Sequence, residues 1–177
     1  MTARENQLRR RLRSWTWLLI IGLVFSGVTA LPLQSELELM ARWLGAGEVS
    51  SAQATSGFVK WILLVRDGLR ETNAKFPFLA YGTDWLAFAH LVIAIAFVGA
   101  LRHPVRNLWL FQFGMIVSVL IIPWALITGE VRGIPIYWRL IDCSFALGGF
   151  IPCWLCHRWA REVERTHARS GVGEAEL

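Results

Sequence analysis

Charge is the first thing this sequence has little of. Only 18% of its 177 residues are Asp, Glu, Lys or Arg, where soluble domains approach about a quarter, so an ordinary water-exposed surface is excluded over much of the chain. Cysteine is scarce as well, at three residues, Cys143, Cys153 and Cys156. No glycine loop is placed to cradle phosphate, no Ser-His-Asp order is compelling, and no paired-histidine zinc sequence occurs. Nothing in the chain has the specificity of a catalytic motif. There is no repeat and no low-complexity segment, and the two halves show no internal symmetry of the transporter kind.

What is present instead is hydrophobic residue, 55% of the chain, together with ten tryptophans. The apolar positions gather into four runs, at about 15–33, 84–101, 107–128 and 137–159, each close to the roughly 20 residues a spanning helix needs. Arginine brackets them unevenly. Arg4, Arg9, Arg10, Arg11 and Arg13 precede the first run, Arg102 and Arg106 separate the second from the third, and Arg158, Arg161, Arg165 and Arg169 follow the fourth. In a four-span chain these segments share one side, and the positive-inside rule makes that side the cytoplasm. A net charge of +5 distributed in this way is not a nucleic-acid stripe. Tryptophan supports the same boundaries, because an indole prefers the headgroup layer: Trp15, Trp17, Trp109, Trp154 and Trp159 mark the inner interface, and Tyr81, Trp85, Trp124, Tyr137 and Trp138 the outer one.

The first run has a competing reading as a signal peptide, with Val28-Thr29-Ala30 as small residues for a peptidase. Its apolar stretch is longer than an ordinary h-region and runs on to Leu33, so a retained helix is expected. Residues 34–83 form an outer loop too short for an independent core. Two helices are expected in it. Ser35 and Glu38 have capping-box spacing ahead of Leu37, Met40 and Leu44, and Gly45 and Gly47 stop the run. A second helix begins near Ser56, with Phe58, Ile62, Val65 and Leu69 as an apolar stripe opposite Lys60, Asp67 and Glu71, the pattern of an amphipathic helix that either lies at the interface, as Trp61 favours, or simply caps the spans. The termini read as solvated tails.

Each span also carries a stripe of small or polar residues: Gly22, Ser26 and Thr29; Ala87, His90 and Ala94; Asn107, Gly114, Ser118 and Ala125; Asp142, Ala146, Gly149 and Cys153. Small residues let helices approach closely in lipid, so these stripes should face inward. Pro123 and Pro152 are candidate kinks in the third and fourth spans. The expected fold is an all-α membrane protein, a four-transmembrane-helix bundle with one or two amphipathic helices in its outer loop. Residues 1–169 make one integral membrane domain, and 170–177 a disordered tail.

Ionisable residues at membrane depth point to function, because an unpaired charge there is costly. His90 and Asp142 lie well inside their spans, about six and about five residues from the outer boundary, so at ~1.5 Å per residue they reach similar depths. Nearer the surface come Asp84, Glu130, Arg132 and Arg139. As a functional site, this outer polar cluster would hold an anionic headgroup or carboxylate on its arginines, with His90 and Asp142 as donor, acceptor or relay. As a structural network, Arg139 and Asp142 would neutralise each other across i,i+3.

Cys153-Trp154-Leu155-Cys156-His157 matches the C-x-x-C-H pattern of covalent haem attachment. The charge bias puts it at the cytoplasmic end, the wrong side for that chemistry in bacteria, and helical geometry turns both thiols toward the bundle. Packed thiols without a disulfide are expected. A haem held by two histidines lacks a partner at the depth of His90, since His103 and His157 lie at the inner boundary and His167 in the tail. No cofactor and no metal are expected, and no catalytic residue is assigned. The reading that follows is a small inner-membrane protein, not an enzyme, whose outer face holds a lipid, a quinone or a membrane-protein partner. The alternative is a membrane enzyme or redox subunit moving protons through His90 and Asp142.

Overall fold

The computed structural model describes residues 3–55 and 57–170, with side chains as far as Ala168. Among them the regular structure is entirely helical: α1 (Ala3–Ala30), α2 (Leu33–Trp43), a 3-10 turn (Ser51–Gln53), α3 (Gly57–Lys75), a second 3-10 turn (Pro77–Ala80), α4 (Tyr81–Arg102), α5 (Leu108–Val131) and α6 (Ile136–Ser170). Four segments are long and apolar enough to cross a membrane: α1, the second 3-10 turn with α4, α5, and α6. The start expected near Ser56 lies outside the described residues. So does the tail expected from residue 170, except for Ser170 itself, which ends α6.

Backbone chemistry explains where the helices stop. Proline at 32 cannot continue α1, so the helix closes at Ala30 rather than at Leu33, and Pro32 becomes the residue before α2. Ser35 therefore sits inside α2, and the capping box expected with Glu38 does not form; Glu38 instead takes hydrogen bonds from Gln34 at 3.2 Å and Arg70 at 3.1 Å. Gly45 ends α2 at φ +69°, a left-handed conformation that glycine adopts without strain. Gly133 does the same after α5 at φ +67°, where the Ile134 N–H reaches back to the Gly129 carbonyl at 2.8 Å. Between α4 and α5 the Asn107 amide donates to the carbonyls of His103 at 2.8 Å and Gly99 at 3.1 Å, adding a second donor to acceptors that already take the backbone N–H groups of Asn107 and His103.

The described residues nearest the two ends, from Ala3 and up to Ser170, are helical rather than solvated tails. α6 has 35 residues, about 50 Å at ~1.5 Å per residue, well beyond a hydrocarbon core of about 30 Å. Its polar end meets the start of α1. Arg4 pairs with Glu162 at 2.6 Å, and Glu5, only 5% exposed, contacts His167 at 2.7 Å and Arg9 at 3.0 Å. The expected tails are thus held together by complementary charges that a one-sided count of arginines overlooks.

The chain divides into two compact units, one of residues 1–22 and 93–177 and the other of residues 23–92. The first buries Leu12, Thr16, Phe97, Phe111, Cys153, Cys156 and Val163. Within it α5 packs on α6 through close small-residue contacts. A Cβ on Gly114 would overlap the Cys153 sulfur, and one on Gly149 would come within 2.5 Å of the Ser118 hydroxyl. Gly114 and Ser118 thus face Cys153 and Gly149 in antiparallel register, the small-xxx-small geometry of close helix pairs. Pro123 and Pro152 lie inside α5 and α6, and both helices continue through them.

In the second unit α2 packs on α3 around Ala41, Ala46 and Leu63, with Val49, Ala54 and Val59 against them. The buried face of α3 is Ile62, Leu63 and Arg66, not the expected stripe of Phe58, Ile62, Val65 and Leu69, because Arg66 turns inward to bind the loop before it. Its guanidinium, 3% exposed as a residue, donates to the carbonyls of Gly47 at 2.9 Å, Val49 at 2.8 Å and Ala46 at 3.4 Å. Asp67 completes the strap, accepting from Arg66 at 2.7 Å and from the Ser51 backbone N–H at 3.0 Å.

Burial pushes the Asp67 carboxyl up, but the Ser51 N–H and the Arg66 guanidinium outweigh it and hold it below its usual range. The Gln34 amide, then Arg70, lower Glu38 in the same way. Carboxyls depressed on folding stabilise the fold above their unfolded pKa values of about 4, and that contribution is lost as pH falls through the folded values. Acidification from about pH 5 to about pH 3 should accelerate hydrogen exchange over residues 46–53. Exchange rates there that follow only intrinsic acid chemistry would show that the strap does not depend on these carboxylates.

Candidate functional site

The six residues of the expected outer cluster fall into two groups. Asp84 and His90, both on α4, belong to the unit of residues 23–92, whereas Glu130, Arg132, Arg139 and Asp142 surround the α5–α6 turn in the other unit. Around that turn, Arg139 does not neutralise Asp142. Its guanidinium pairs with Glu130, its Nε donates to the Ile134 carbonyl at 2.7 Å, and its stem fills the space a Cβ on Gly129 would need, at 2.6 Å. Spacing along one helix suggested the i,i+3 pair, but the turn returns the chain so that Glu130 on α5 is the nearer carboxylate. Arg139 is therefore a clasp for the turn. Arg132 is exposed beside it, and Asp142 is half-buried with no ion-pair partner among the described residues. The Gly114–Cys153 and Ser118–Gly149 register, carried one heptad along, sets Ala125 level with Asp142.

His90 is half-buried where α1 crosses α4: a Cβ on Gly27 would meet the Ala87 carbonyl at 2.9 Å and the His90 Cβ at 3.1 Å. Its Nδ1 lies 2.8 Å from the Leu86 carbonyl one turn back. A carbonyl only accepts, so Nδ1 carries the proton and Nε2 is the nitrogen left for other chemistry.

Asp84 sits differently. It is exposed in the first turn of α4, where a carboxylate is favoured by the helix dipole, and it makes no hydrogen bond or ion pair among the described residues. Tyr81, Asp84, Trp85 and Phe88 line a surface groove of about 270 Å³. In the sequence Tyr81 and Trp85 stand out only as interface markers, and Phe88 not at all. Their i, i+3, i+4, i+7 spacing was the available signal that all four share a face.

The C-x-x-C-H segment is packed. Cys153 and Cys156 are 2% and 0% exposed, the first against Gly114, the second 3.7 Å from the Thr16 hydroxyl and 3.8 Å from the Leu12 carbonyl. His157 contacts the Gln112 amide at 3.3 Å. Both sulfurs thus fill helix–helix contacts, and a porphyrin bonded to them would displace α1 and α5. Arg158, on the next residue, lies over the Trp154 ring at 5.7 Å, a cation–π contact.

No protein-family model matches the chain, and no curated protein or solved structure is similar to it.

Proposed function

We propose that this chain is a multi-pass protein of a bacterial-type inner membrane, with both ends in the cytoplasm, and that it binds a ligand rather than catalysing a reaction. In this reading α1, α4, α5 and α6 form a bundle of spans, and residues 34–83 lie on the outer face with α3 at the interface. The observation that carries it is the apolar surface. Phe25, Ile95, Trp124 and Phe145 are 65–74% exposed, and large side chains of this kind recur along all four long helices, far beyond the patches a protein leaves to water. Hydrocarbon is the environment that matches them. The arginines favour the orientation, since Arg10, Arg11, Arg13, Arg158, Arg161 and Arg165 are exposed on the ends of α1 and α6 that meet through Arg4–Glu162.

Binding is favoured over catalysis by what the candidate groups do. Arg139 is spent on the α5–α6 turn and the Nδ1 proton of His90 on its own helix, while Asp84 stays open beside an aromatic groove. The outer face therefore holds a lipophilic ligand, a lipid or quinone, or a membrane-protein partner. Paired reporter fusions after Arg169 test the placement: the cytoplasmic reporter should be active and the periplasmic one silent. The opposite result would invert the topology and return Cys153 and Cys156 to the side where haem is attached. Lipid and quinone extraction from purified protein tests the binding, and a product formed from an added quinone or lipid would replace it with an enzyme.

A further inference from the structure

The groove on α4 has the chemistry of a particular headgroup. Tyr81 and Trp85 stand 5.9 Å apart with planes at 86°, and Trp85 and Phe88 stand 5.7 Å apart at 89°. Rings at right angles make two walls of a corner, and the negative face of an aromatic ring attracts a cation seated against it. Asp84 adds a full negative charge to the same groove, uncompensated by any cation among the described residues. An anion would meet repulsion here. A quinone carbonyl could take a hydrogen bond from the Tyr81 hydroxyl or the Trp85 indole but would leave the Asp84 charge unanswered, and a calcium ion would need six or more oxygen ligands where the groove offers one carboxylate and one phenol. An alkylammonium group fits both elements, its N–H bonds or charge on Asp84 and its methylenes on the rings.

We propose that Tyr81, Asp84, Trp85 and Phe88 bind the ammonium headgroup of a zwitterionic phospholipid such as phosphatidylethanolamine. The inference rests on the membrane placement proposed above and deepens it by naming the ligand class. The groove sits at the first turns of α4, a few residues inside the apolar segment Pro77–Arg102, and its amphipathic aromatics Tyr81 and Trp85 favour the level of the headgroups. Below it, Phe88 and Val92 are 55% and 45% exposed and continue the same side of the helix as a track for an acyl chain. A soluble amine would make no use of that track.

The test is native mass spectrometry of the full chain in one detergent, with phosphatidylethanolamine and phosphatidylglycerol added at equal concentration. The parent should retain phosphatidylethanolamine about tenfold better. Asp84→Asn should abolish that preference by lowering phosphatidylethanolamine retention, with phosphatidylglycerol retained no less than in the parent once the repelling charge is gone, and because the side chain is exposed its loss disturbs no packing. Trp85→Leu should act likewise, and Trp109→Leu, on an exposed position of α5, should not. Equal retention of both lipids by the parent, or an unaltered preference in Asp84→Asn, would overturn the proposal. So would displacement by phosphoethanolamine alone at the same concentration, which would assign the groove to a soluble amine. The reporter fusions are independent of this outcome, so a failed lipid preference with an intact topology removes the headgroup and leaves the membrane reading standing.

Discussion

Arg66→Met should destabilise the unit of residues 23–92 by about 3–5 kcal/mol, the range for stranding the partners of a buried charge. The side chain donates to three backbone carbonyls of the loop between α2 and α3 and to Asp67. Methionine has similar length and no donor, so the carbonyls of Ala46, Gly47 and Val49 lose their partner together, and an unsatisfied buried acceptor costs about 1–3 kcal/mol. Asp67 would keep only its hydrogen bonds from Ser51. Arg66→Lys should recover little, because an ammonium cannot fork toward three carbonyls and a carboxylate as a planar guanidinium does. Hydrogen exchange over residues 46–53 and thermal unfolding in detergent provide the measurement. A loss below about 1 kcal/mol, typical of an exposed ion pair, would show that water replaces the strap without penalty.

That strap also marks where the sequence stops being informative. The long helices follow from composition alone, because uninterrupted apolar runs leave the backbone no water to bond and only helical hydrogen bonding satisfies it. Glycine and proline set most ends within a few residues, as at Pro32, Gly45 and Gly133. Arg66 could not be read in the same way. In the apolar pattern of α3 an arginine counts as solvated, and only the fold of the 45–50 loop, which curls its carbonyls toward α3, makes it the best-buried polar side chain of that helix. Glu5 and His167 were hidden for a related reason: they lie at opposite ends of the sequence, and no local period connects them. Asp84, His90, Glu130, Arg132, Arg139 and Asp142 were found by rarity, since charges in apolar runs stand out. Rarity located them but did not pair them, and Arg139 chose Glu130 across the turn over Asp142 along the helix.

The small-residue stripes of α4, α5 and α6 were legible, whereas that of α1 was not, since Gly22 and Ser26 are exposed and Gly27 makes the close approach to α4 instead; the α5–α6 stripes support the second large expectation. Gly114→Ala should destabilise the α5–α6 pair by about 1–3 kcal/mol, the range for overpacking a filled contact. Its new methyl would fall on the Cys153 sulfur and within 3.5 Å of the Phe97 ring. Neither can retreat freely, as Cys153 is buried and Phe97 packs on Phe111 with ring centroids 6.1 Å apart. Cys153→Ala alone should cost less, leaving a void about the size of one sulfur. In the double variant the methyl on residue 114 occupies that void, so the pair should be more stable than the sum of the single effects by about 1 kcal/mol or more. Thermal unfolding of the four proteins in one detergent closes the cycle. The outcome bears on function too, because rescue makes Cys153 a packing group and leaves its thiol no room for thioether chemistry. Strict additivity, or a haem stain in the parent that vanishes with Cys153→Ala, would mean that α5 and α6 do not meet through these residues.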